Sequence, residues 1–450
     1  MKIKNGISWE VTRMVFLRQR LGKVIENLES MIYSASYPID GYEVARSKER
    51  FTHVSETSKL EWSKLGKGHF AAGPKEFYYF KTSIRVPEVC EGNTLVYEIR
   101  TGKEGEGEGP WDSLNPQFLV YVNGQLRQGF DANHRELLLA ESAKAGEVFE
   151  IILSAYTGDG NFSMFLESEY KVLERAVEKY YYDVLIPYQV ACLLDEESRE
   201  YIEIVQLLTD SVNMLDLRRK HTKEFCDSLE KAQKFITEEF YSKRCKPDQK
   251  EVIACVGHTH IDCAWLWTLK TTEDKAVRSF STVLELMRQY PEYKFMSSQP
   301  QLYDYVKKNS PEVYEEIKKR VAEGRWETEG GMWVEADCNI ASGESLIRQF
   351  IHGKRFFREE FNKDNEVLWL PDVFGYSAAL PQIMKKCGIN YFMTTKISWS
   401  EFNKMPYDTF MWEGIDGTKI LTHFSPTADY VQGPVEGGPG TAHFTTYNSL

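Results

Sequence analysis

The sequence predicts a multidomain protein in which an N-terminal β-sandwich and a helical linker precede an α/β domain. Three observations support this class. The chain has 450 residues, enough for two or three domains. Between about 50 and 170 the apolar pattern has a period of two, and it then returns to helical spacing. From about 250 onwards, short apolar runs alternate with capped helical segments.

The N-terminal half divides into a helical segment and a sandwich. Residues 8–35 carry apolar side chains at helical spacing, so residues 1–48 are predicted as an N-terminal helical segment. Residues 49–171 contain short β-rich runs separated by turn clusters, which is typical of a β-sandwich domain. Within it, Asn123-Gly124 lies between two such runs and predicts a hairpin turn.

The C-terminal half is predicted to be helical and then α/β. Residues 172–248 form a charged helical linker of two or three helices. In residues 249–450, strand candidates such as Met332–Ala336 alternate with helices that open at caps such as Ser310 and Ser342. Repeated strand–helix units are typical of a parallel sheet or barrel.

The composition argues against several classes of protein. A formal net charge of −12 disfavours nucleic acid or an anionic membrane surface as a major partner. The chain has no run of 18 apolar residues and no convincing signal peptide. Its eight cysteines form no CxxC pair, which favours reduced thiols. We therefore expect a cytoplasmic protein.

Acidic residues follow three of the predicted strands of the α/β domain. Asp262, Asp337 and Asp372 each come at or just after a strand candidate. The carboxyl ends of strands in a βα array lie on one face, where active sites are built. Each aspartate alone could equally be a helix cap or a loop acid, but the three together predict a site.

Two histidines precede the first of these aspartates in VGHTHIDCAWLW. His258, His260 and Asp262 alternate, so their side chains point the same way in an extended chain. Imidazole and carboxylate ligands suit zinc. His258 need not ligate and could orient the site from behind. The alternative, two core histidines bonded to backbone, leaves Asp262 buried without a partner, which is costly.

Two tryptophans follow the same motif. An indole face can cover the apolar face of a sugar, and it is also ordinary core material. Trp265 is nearer the histidines and is the stacking candidate. Trp267 is predicted to pack in the core.

The other two aspartates have motifs of their own. In RWETEGGMWVEADCN a strand would carry Glu335 and Asp337 on one face, and Asp337 could ligate a metal, attack an anomeric carbon, or do both. Glu335 is expected to be solvated or structural. In LWLPDVFGYS, Asp372 enters a turn followed by Tyr376. Asp372 could bind a hydroxyl, act as an acid/base, or cap a helix.

Four further residues are weaker candidates. Arg348 could pair with a site carboxylate, although a surface position is favoured. His352, His423 and His443 are extra ligand candidates. His423, at the end of a strand, is the best of these histidines.

Together the motifs resemble the α-mannosidases of glycoside hydrolase family 38. GHTHIDCAW, GGMWVEADCNIASGESLIRQ, WLPDVFGYSAALPQIMKKCGINYF and TTKISWSEFNKMPYDTFMWEGIDG are similar to its catalytic domain. The sandwich run NPQFLVYVNGQLRQGFDANHREL is similar to the N-terminal domain of its microbial and cytosolic members. The resemblance implies a catalytic domain of (β/α)7-barrel type and retaining hydrolysis of terminal α-linked mannose from oligosaccharides.

The resemblance also implies residue roles. His260, Asp262 and Asp337 would ligate Zn²⁺, with Co²⁺ as an alternative ion. Asp337 would also be the nucleophile, Trp265 would stack on the mannose ring, and Asp372 would lie in the pocket. Mannose-containing oligosaccharides would be the partners, and a homo-oligomer is compatible with the sequence.

The resemblance covers only the front part of such enzymes. Family members are roughly twice this length or more. They continue with a glycine-rich aspartate motif, for which EGGPGTAH offers no matching aspartate, and with a further zinc histidine. We therefore expect a catalytic domain incomplete at its C-terminus, with weak zinc affinity and little turnover from these 450 residues alone.

Two other functions stay open from the sequence. A metal-dependent amidohydrolase also places HxH at the end of a first barrel strand. It would need two further metal histidines on later strands and a late aspartate, and the middle of the chain offers no bridging lysine in position. A non-catalytic carbohydrate-binding fragment is the second alternative. This alternative applies mainly to the 450-residue chain by itself. For the full-length protein it is disfavoured, because none of the motifs is degenerate.

Overall fold

The structure is a computed structural model that describes residues 6–66, 69–103, 117–131, 134–158, 162–245, 253–398, 402–403, 405–425 and 444–448. These residues form nine α-helices and nineteen strands arranged in four sheets. No helix in this described part of the chain combines the length and the apolar character that a membrane crossing requires.

The N-terminal half is a helix followed by two antiparallel sheets. The elements are α1 (Gly6–Glu29), β1 (Tyr33–Pro38), β2 (Glu43–Ser47), β3 (Ser63–Lys64), β4 (His69–Ala72), β5 (Phe77–Arg85), β6 (Thr94–Lys103), β7 (Phe118–Val122), β8 (Gln125–Phe130), β9 (Glu136–Ala140), β10 (Val148–Tyr156) and β11 (Phe162–Leu173). One sheet has the order β1-β11-β6-β9, with β4 also on β11, and the other has the order β3-β2-β5-β10-β7-β8. Side chains such as Tyr97 and Leu166 from the first sheet meet Phe80 and Phe118 from the second in one buried core, so the sheets form a sandwich.

The predicted hairpin turn at Asn123-Gly124 is present between β7 and β8. Both residues have positive φ, 50° and 80°, the combination that a two-residue turn matching the strand twist requires. The Asn123 side chain also accepts a hydrogen bond from the Glu150 N–H at 2.8 Å, which ties the turn to β10.

The first 48 residues differ from the helical segment that the sequence predicted. The helix ends at Glu29 rather than near residue 35. β1 and β2 follow within this segment and pair with β11 and β5. Pairing along the long β11 supplies backbone partners that a helical pattern cannot reveal, so tertiary context overrides the local preference.

Three helices connect the sandwich to the α/β domain. They are α2 (Arg175–Leu193), α3 (Arg199–Val212) and α4 (Lys223–Phe235), and α4 continues as a π-helical turn over Ile236–Ser242. Tyr180, Tyr201 and Phe225 are fully buried between these helices and α1. The same core includes Val96 and Leu173 from one sandwich sheet, so the linker packs on that sheet rather than standing apart.

The α/β domain alternates strands and helices for most of its length. Its elements are β12 (Ile253–His258), α5 (Leu269–Gln289), β13 (Phe295–Ser297), α6 (Pro300–Asn309), α7 (Pro311–Ala322), β14 (Trp326–Thr328), α8 (Gly343–Phe361), β15 (Val367–Trp369), α9 (Leu380–Lys386), β16 (Tyr391–Thr394), β17 (Thr409–Glu413), β18 (Lys419–Phe424) and β19 (Phe444–Asn448). The cap predicted at Ser342 is present, because its side chain accepts a hydrogen bond from the Ser345 N–H.

These strands form two four-stranded sheets rather than a closed barrel. The orders are β14-β13-β12-β19 and β15-β16-β18-β17, with parallel pairing among β12, β13 and β14 and among β15, β16 and β18. A parallel bridge between Gly330 and Leu368 connects the segment after β14 to β15 and so joins the two sheets. Met296, Trp369 and Met393 from both sheets meet in one buried cluster, so the strands curve around a shared interior. The described residues do not close this arc, and the (β/α)7 barrel is not confirmed.

The strand predicted at Met332–Ala336 is absent. The strand in this part of the chain is β14, which ends at Thr328. Gly330 and Gly331 then adopt positive φ values of 125° and 75°, a conformation that ends the extended chain. Glu335 and Asp337 therefore lie in a loop and do not share a strand face.

Helix α5 packs directly on the sandwich. Gly129 on β8 and Thr282 on α5 exchange hydrogen bonds at 3.2 and 3.3 Å. Arg127 makes two hydrogen bonds, of 3.0 and 3.2 Å, to the buried carboxylate of Glu285. The sandwich thereby holds the helix that follows directly after the segment containing the histidine motif.

Candidate metal and active site

The candidate site lies where the parallel strands of the α/β domain end. β12 ends at His258, and residues 259–268 run without regular structure to α5. Asp372 follows the end of β15 by three residues. These positions are at the carboxyl ends of parallel strands, one from each of the two sheets, where loops are free to build a site without breaking the sheet.

One imidazole and two carboxylates converge at this edge. The His260 Nε2 atom lies 3.3 Å from Asp262 Oδ1 and 3.4 Å from Asp372 Oδ2. One ligand atom from each of the three residues lies within 4.8 Å of the others. Imidazole nitrogen and carboxylate oxygen are ligands that zinc accepts, so the donor set fits a divalent cation of this kind.

Glu335 supports His260 from the opposite side of the ring. Its Oε2 atom lies 2.8 Å from His260 Nδ1, and its side chain is only 4% exposed. Its Oε1 atom accepts a hydrogen bond of 2.8 Å from the Ser298 hydroxyl. A carboxylate behind a ligating histidine fixes the ring and directs Nε2 to the metal. Of the two expectations for Glu335, solvated or structural, the solvated one fails and the structural one fits, because the loop after Gly331 turns the side chain inward.

The carboxylates change the protonation of His260. Burial opposes a charge on this ring, but Glu335, Asp262 and Asp372 outweigh burial and raise the pKa of His260 well above its usual value. In the absence of a cation, this raised pKa favours the protonated form of the ring. A cation that binds through Nε2 must displace that proton.

His258 lies behind the site rather than in it. Its Nε2 atom accepts a hydrogen bond from the Trp369 indole at 3.2 Å, and its Nδ1 atom lies 3.0 Å from the Met296 carbonyl oxygen. An indole N–H can only donate, so the proton of a neutral His258 ring is on Nδ1. Both nitrogens are engaged, which leaves neither for a metal. His258 instead connects β12, β13 and β15 beneath the ligands.

Asp372 is held by a lysine that sequence reasoning missed. The Lys396 Nζ atom lies 3.0 Å from Asp372 Oδ1. Burial alone would raise the pKa of Asp372, but His260 and Lys396 outweigh it and lower the pKa below its usual value. Lys396 follows the end of β16 in the motif TTKISW, and a polar run at the carboxyl end of a strand was the available signal.

Gln299 is a second residue that sequence reasoning missed. Its side chain donates a hydrogen bond to the Ile261 carbonyl at 2.9 Å and accepts one from the Glu335 N–H at 3.2 Å. It is buried, with φ at 49°. Gln299 thus joins the loop of the histidine motif to the loop of Glu335.

Asp337 lies outside the group of converging ligand atoms. Its side chain is exposed, and its Oδ1 atom accepts hydrogen bonds from the N–H groups of Asn339 (3.0 Å) and Ile340 (2.8 Å). A parallel bridge between Cys338 and Tyr376 places its loop beside the loop of Asp372. The ligand and nucleophile roles of Asp337 stay predictions.

The two tryptophans lie in the irregular segment between the histidine motif and α5. Trp265 is 67% exposed, as a stacking platform requires. It meets Trp267 edge to face, with ring centroids 5.6 Å apart. Trp267 is only partly buried, which differs from the predicted core position. Its indole N–H donates to the Thr272 hydroxyl at 3.0 Å, and Lys275 Nζ lies 4.5 Å from its ring centroid, so polar neighbours keep it at the surface of α5.

The same region of the chain matches a known protein family. Residues 250–449 match the glycosyl hydrolases family 38 N-terminal domain. Residues 250–449 belong to family 38. The family 38 domain includes all three converging ligands, together with Glu335 and Asp337.

The similarity of the chain to several α-mannosidases extends beyond the family 38 domain. The chain is 36% identical to alpha-mannosidase G of Dictyostelium discoideum over 374 residues, which cover 78% of this chain and 32% of that protein. It is 32% identical to human alpha-mannosidase 2C1 over 431 residues, 91% of this chain and 39% of that protein. It is 37% identical to the alpha-mannosidase of Saccharomyces cerevisiae, over 78% of this chain and 33% of the yeast protein. The chain thus spans about a third of the length of these relatives.

Among solved structures, an alpha-mannosidase from Enterococcus faecalis V583 is similar over 38% of this chain and 19% of its own. The sequence identity is 23% and the TM-score is 0.33. A similarity this weak does not decide the architecture of the family 38 domain.

The weaker candidates occupy other parts of the family 38 domain. The Tyr376 hydroxyl lies 2.8 Å from the Val373 carbonyl and 2.6 Å from the Thr394 hydroxyl, so it braces the loop of Asp372. Arg348 is exposed on α8 and pairs with Glu344 of the same helix at 2.8 Å, not with a site carboxylate.

Of the remaining candidate histidines, the two that the structure describes do not join the converging ligands. His423 Nδ1 lies 2.9 Å from the Thr409 hydroxyl on β17, and burial lowers the pKa of His423. His352 is exposed on α8, and His443 lies outside the described residues. Because an amidohydrolase site needs further metal histidines, this placement gives that alternative no support.

Proposed function

We propose that this chain is the front part of a zinc-dependent, retaining α-mannosidase that removes terminal α-linked mannose from oligosaccharides. The observation that carries the proposal is the convergence of His260, Asp262 and Asp372 at the strand ends of a family 38 domain. The names of the relatives support the substrate class. We further propose that the curved strands belong to a (β/α)7 barrel and that the protein acts in the cytoplasm.

His260, Asp262 and Asp372 would hold the cation, and Asp337 is proposed as a further ligand. When bound, zinc supplies a Lewis acid that holds sugar hydroxyls and favours a flattened ring. The exposed indole of Trp265 offers an apolar face for the sugar to stack on. Together these side chains would orient the anomeric carbon of a bound sugar toward the loop of Asp337.

Asp337 is proposed as the nucleophile. Its carboxylate attacks the anomeric carbon, the bond to the leaving oxygen breaks, and a covalent mannosyl–enzyme intermediate forms. A second carboxyl group protonates the departing oxygen and then takes a proton from the water that releases mannose. Two displacements at one carbon retain the α configuration. Because Asp337 is exposed beside the Asp372 loop, it is open to a sugar bound there.

The test combines metal removal with a nucleophile variant. We expect the full-length protein to hydrolyse an aryl α-mannoside, to lose activity on chelation, and to recover it with Zn²⁺ or Co²⁺. Asp337→Asn should lower kcat by about 10⁴-fold or more, since it removes covalent catalysis. Its thermal midpoint should change little, because the side chain is exposed.

Two comparisons sharpen this experiment. Aryl β-mannoside, α-glucoside and α-galactoside serve as substrate controls, and Asp304→Asn, on the outside of α6, serves as the matched variant. The 450-residue chain assayed alongside is expected to show little turnover. Full activity after complete metal removal, or full activity of Asp337→Asn, would overturn the proposal.

A further inference from the structure

One end of the sandwich reaches the part of the α/β domain that follows the histidine motif. Strand β8 runs antiparallel to α5, because Arg127 bonds Glu285 whereas Gly129, two residues later, exchanges hydrogen bonds with Thr282. A strand rises about 3.3 Å per residue and a helix about 1.5 Å, so two more strand residues correspond to about one more helical turn. Asp131, directly after β8, is therefore expected beside the first turns of α5.

Further contacts join the first turns of α5 to the same end of the sandwich. The Lys270 Nζ atom lies 5.8 Å from the centroid of the Phe77 ring, at the start of β5. Arg278 donates a hydrogen bond to the side chain of Gln117, directly before β7. The sandwich thus meets α5 close to the segment that carries the candidate site, and not only along the middle of the helix.

Lys275 connects this end of the sandwich with the tryptophan pair. Its Nζ atom lies 4.5 Å from the centroid of the Trp267 ring, which in turn meets the exposed Trp265 edge to face. Burial lowers the pKa of Lys275, whereas the charges of Asp131 and Asp262 both act on its ammonium and oppose that shift. The end of β8 and the segment of the histidine motif therefore lie near the same side chain.

Asp131 and His134 are held in a fixed arrangement. The Asp131 N–H donates to the His134 carbonyl oxygen at 2.9 Å, and the His134 N–H donates to Asp131 Oδ1 at 2.9 Å. His134 Nδ1 lies 3.1 Å from the same oxygen, so Nε2 is on the side of the ring away from it. Both side chains are partly exposed, 28% for Asp131 and 39% for His134. A few fixed polar groups beside aromatic rings are what recognition of a sugar requires.

We propose that Asp131 and His134 form a subsite for the sugar on the leaving side of the cleaved bond. This inference rests on the proposed function. Because a terminal mannose is removed, the substrate continues from the cleaved bond only on the leaving side. Hydroxyls of the leaving sugar bond the carboxylate and the imidazole, which between them accept and donate. The sandwich thereby makes the enzyme prefer an oligosaccharide to a mannoside with an apolar leaving group.

The experiment compares two substrates of the full-length protein. The first is the α-linked mannobiose that the wild type hydrolyses fastest, and the second is an aryl α-mannoside, which has no leaving sugar. His134→Ala should lower the ratio of kcat/KM for the mannobiose to kcat/KM for the aryl mannoside by about tenfold, since hydrogen bonds to the leaving sugar are lost. A merely structural role would affect both substrates alike and leave this ratio unchanged.

Two further variants separate the subsite from general effects. Asp131→Asn keeps an acceptor for the His134 N–H but removes the charge, and it should also lower the ratio. His69→Ala, at an exposed histidine on β4 of the other sandwich sheet, is the matched control and should leave the ratio unchanged. If His134→Ala does not fold, Asp131→Asn decides the question.

The outcomes distinguish this inference from the proposed function. If the wild type hydrolyses neither substrate, the proposed function itself fails. If the wild type hydrolyses both substrates and neither His134→Ala nor Asp131→Asn lowers the ratio, this inference alone is overturned.

Discussion

Two buried charged residues act on the candidate ligands from opposite sides. Glu335 lies 2.8 Å behind His260, and Lys396 lies 3.0 Å behind Asp372. The carboxylate of Glu335 adds negative charge beside the His260 imidazole, which favours the binding of a cation at that ring. The second residue, Lys396, places a positive charge against the Asp372 carboxylate, which helps to lower the pKa of that carboxyl group.

Glu335→Gln is expected to weaken metal binding. The amide has nearly the shape of the carboxylate but lacks the charge that orients His260 and strengthens it as a ligand. The Zn²⁺ affinity should fall by about 10- to 100-fold, the usual effect of removing such a partner. Chelator competition on the metal-loaded protein measures it.

Glu329→Gln is the control for this substitution. Glu329 is also largely buried, and its pKa is raised by burial, but its partners are Asn365 and the Val367 N–H rather than a ligand. The affinity of this variant should equal that of the wild type. An equal loss in both variants would mean that Glu335 acts only through general destabilisation of the domain.

The lowered pKa of Lys275 predicts that the stability of the protein depends on pH. Burial, followed by the charge of Arg278, lowers the pKa of Lys275 to about 8. In the unfolded chain the amine keeps its higher pKa, so between these values the unfolded state binds more protons. The free energy of unfolding should therefore rise with pH, by up to about 3 kcal/mol from this residue between pH 8 and 10.5.

Urea unfolding at several pH values in this window measures the effect. Lys275→Met should remove this part of the rise, and the difference between variant and wild type isolates it from other titrations. Lys308→Met is the matched control, because Lys308 is an exposed helix lysine paired with Asp304. A Lys275→Met curve parallel to that of the wild type would contradict the assignment.

At the scale of elements, helix α5 depends on a close approach to β8. A Cβ atom on Gly129 would lie 1.9 Å from Arg278 Cγ and 2.8 Å from the Arg278 carbonyl oxygen. Arg278 is itself fixed by Asp274, at 2.7 Å. The glycine therefore lets the sandwich and the α/β domain share a continuous buried core, in which Tyr121 and Leu126 pack with Phe280.

Gly129→Ala is expected to lower the free energy of unfolding by about 1–3 kcal/mol, because the helix must move away from the strand. Chemical denaturation measures the change. Gly343→Ala is the control, since the new methyl would meet only Ile383 Cδ1, at 3.8 Å, and alanine suits a helix. Equal stability of Gly129→Ala and the wild type would show that the interface adapts without cost.

At the scale of the whole molecule, the sandwich, the linker and the family 38 domain form one packed body. The linker helices share a core with one sandwich sheet, and α5 shares a core with the other. The sandwich thus supports the segment that carries His260 and Asp262 through the helix that follows it. The chain spans about a third of the length of the α-mannosidase relatives that it matches.

The sequence alone determined the features that depend on neighbouring residues. The period of two indicated the sandwich strands, Asn123-Gly124 indicated the hairpin, and Ser342 indicated a helix cap. The alternation in HTHID also placed His260 and Asp262 together, since residues two apart in an extended chain point the same way. Local geometry is sufficient for each of these predictions.

Only the tertiary structure decided which distant residues complete the site. Glu335 and Asp372 meet His260, and Lys396 meets Asp372, across 24 to 112 positions of sequence, through the packing of separate strand ends. The turn at Gly330 and Gly331 then sent Glu335 inward and left Asp337 exposed, against the predicted strand. The physical reason is that local pattern sets the type of an element, whereas strand pairing and buried charge neutralisation set which side chains come together.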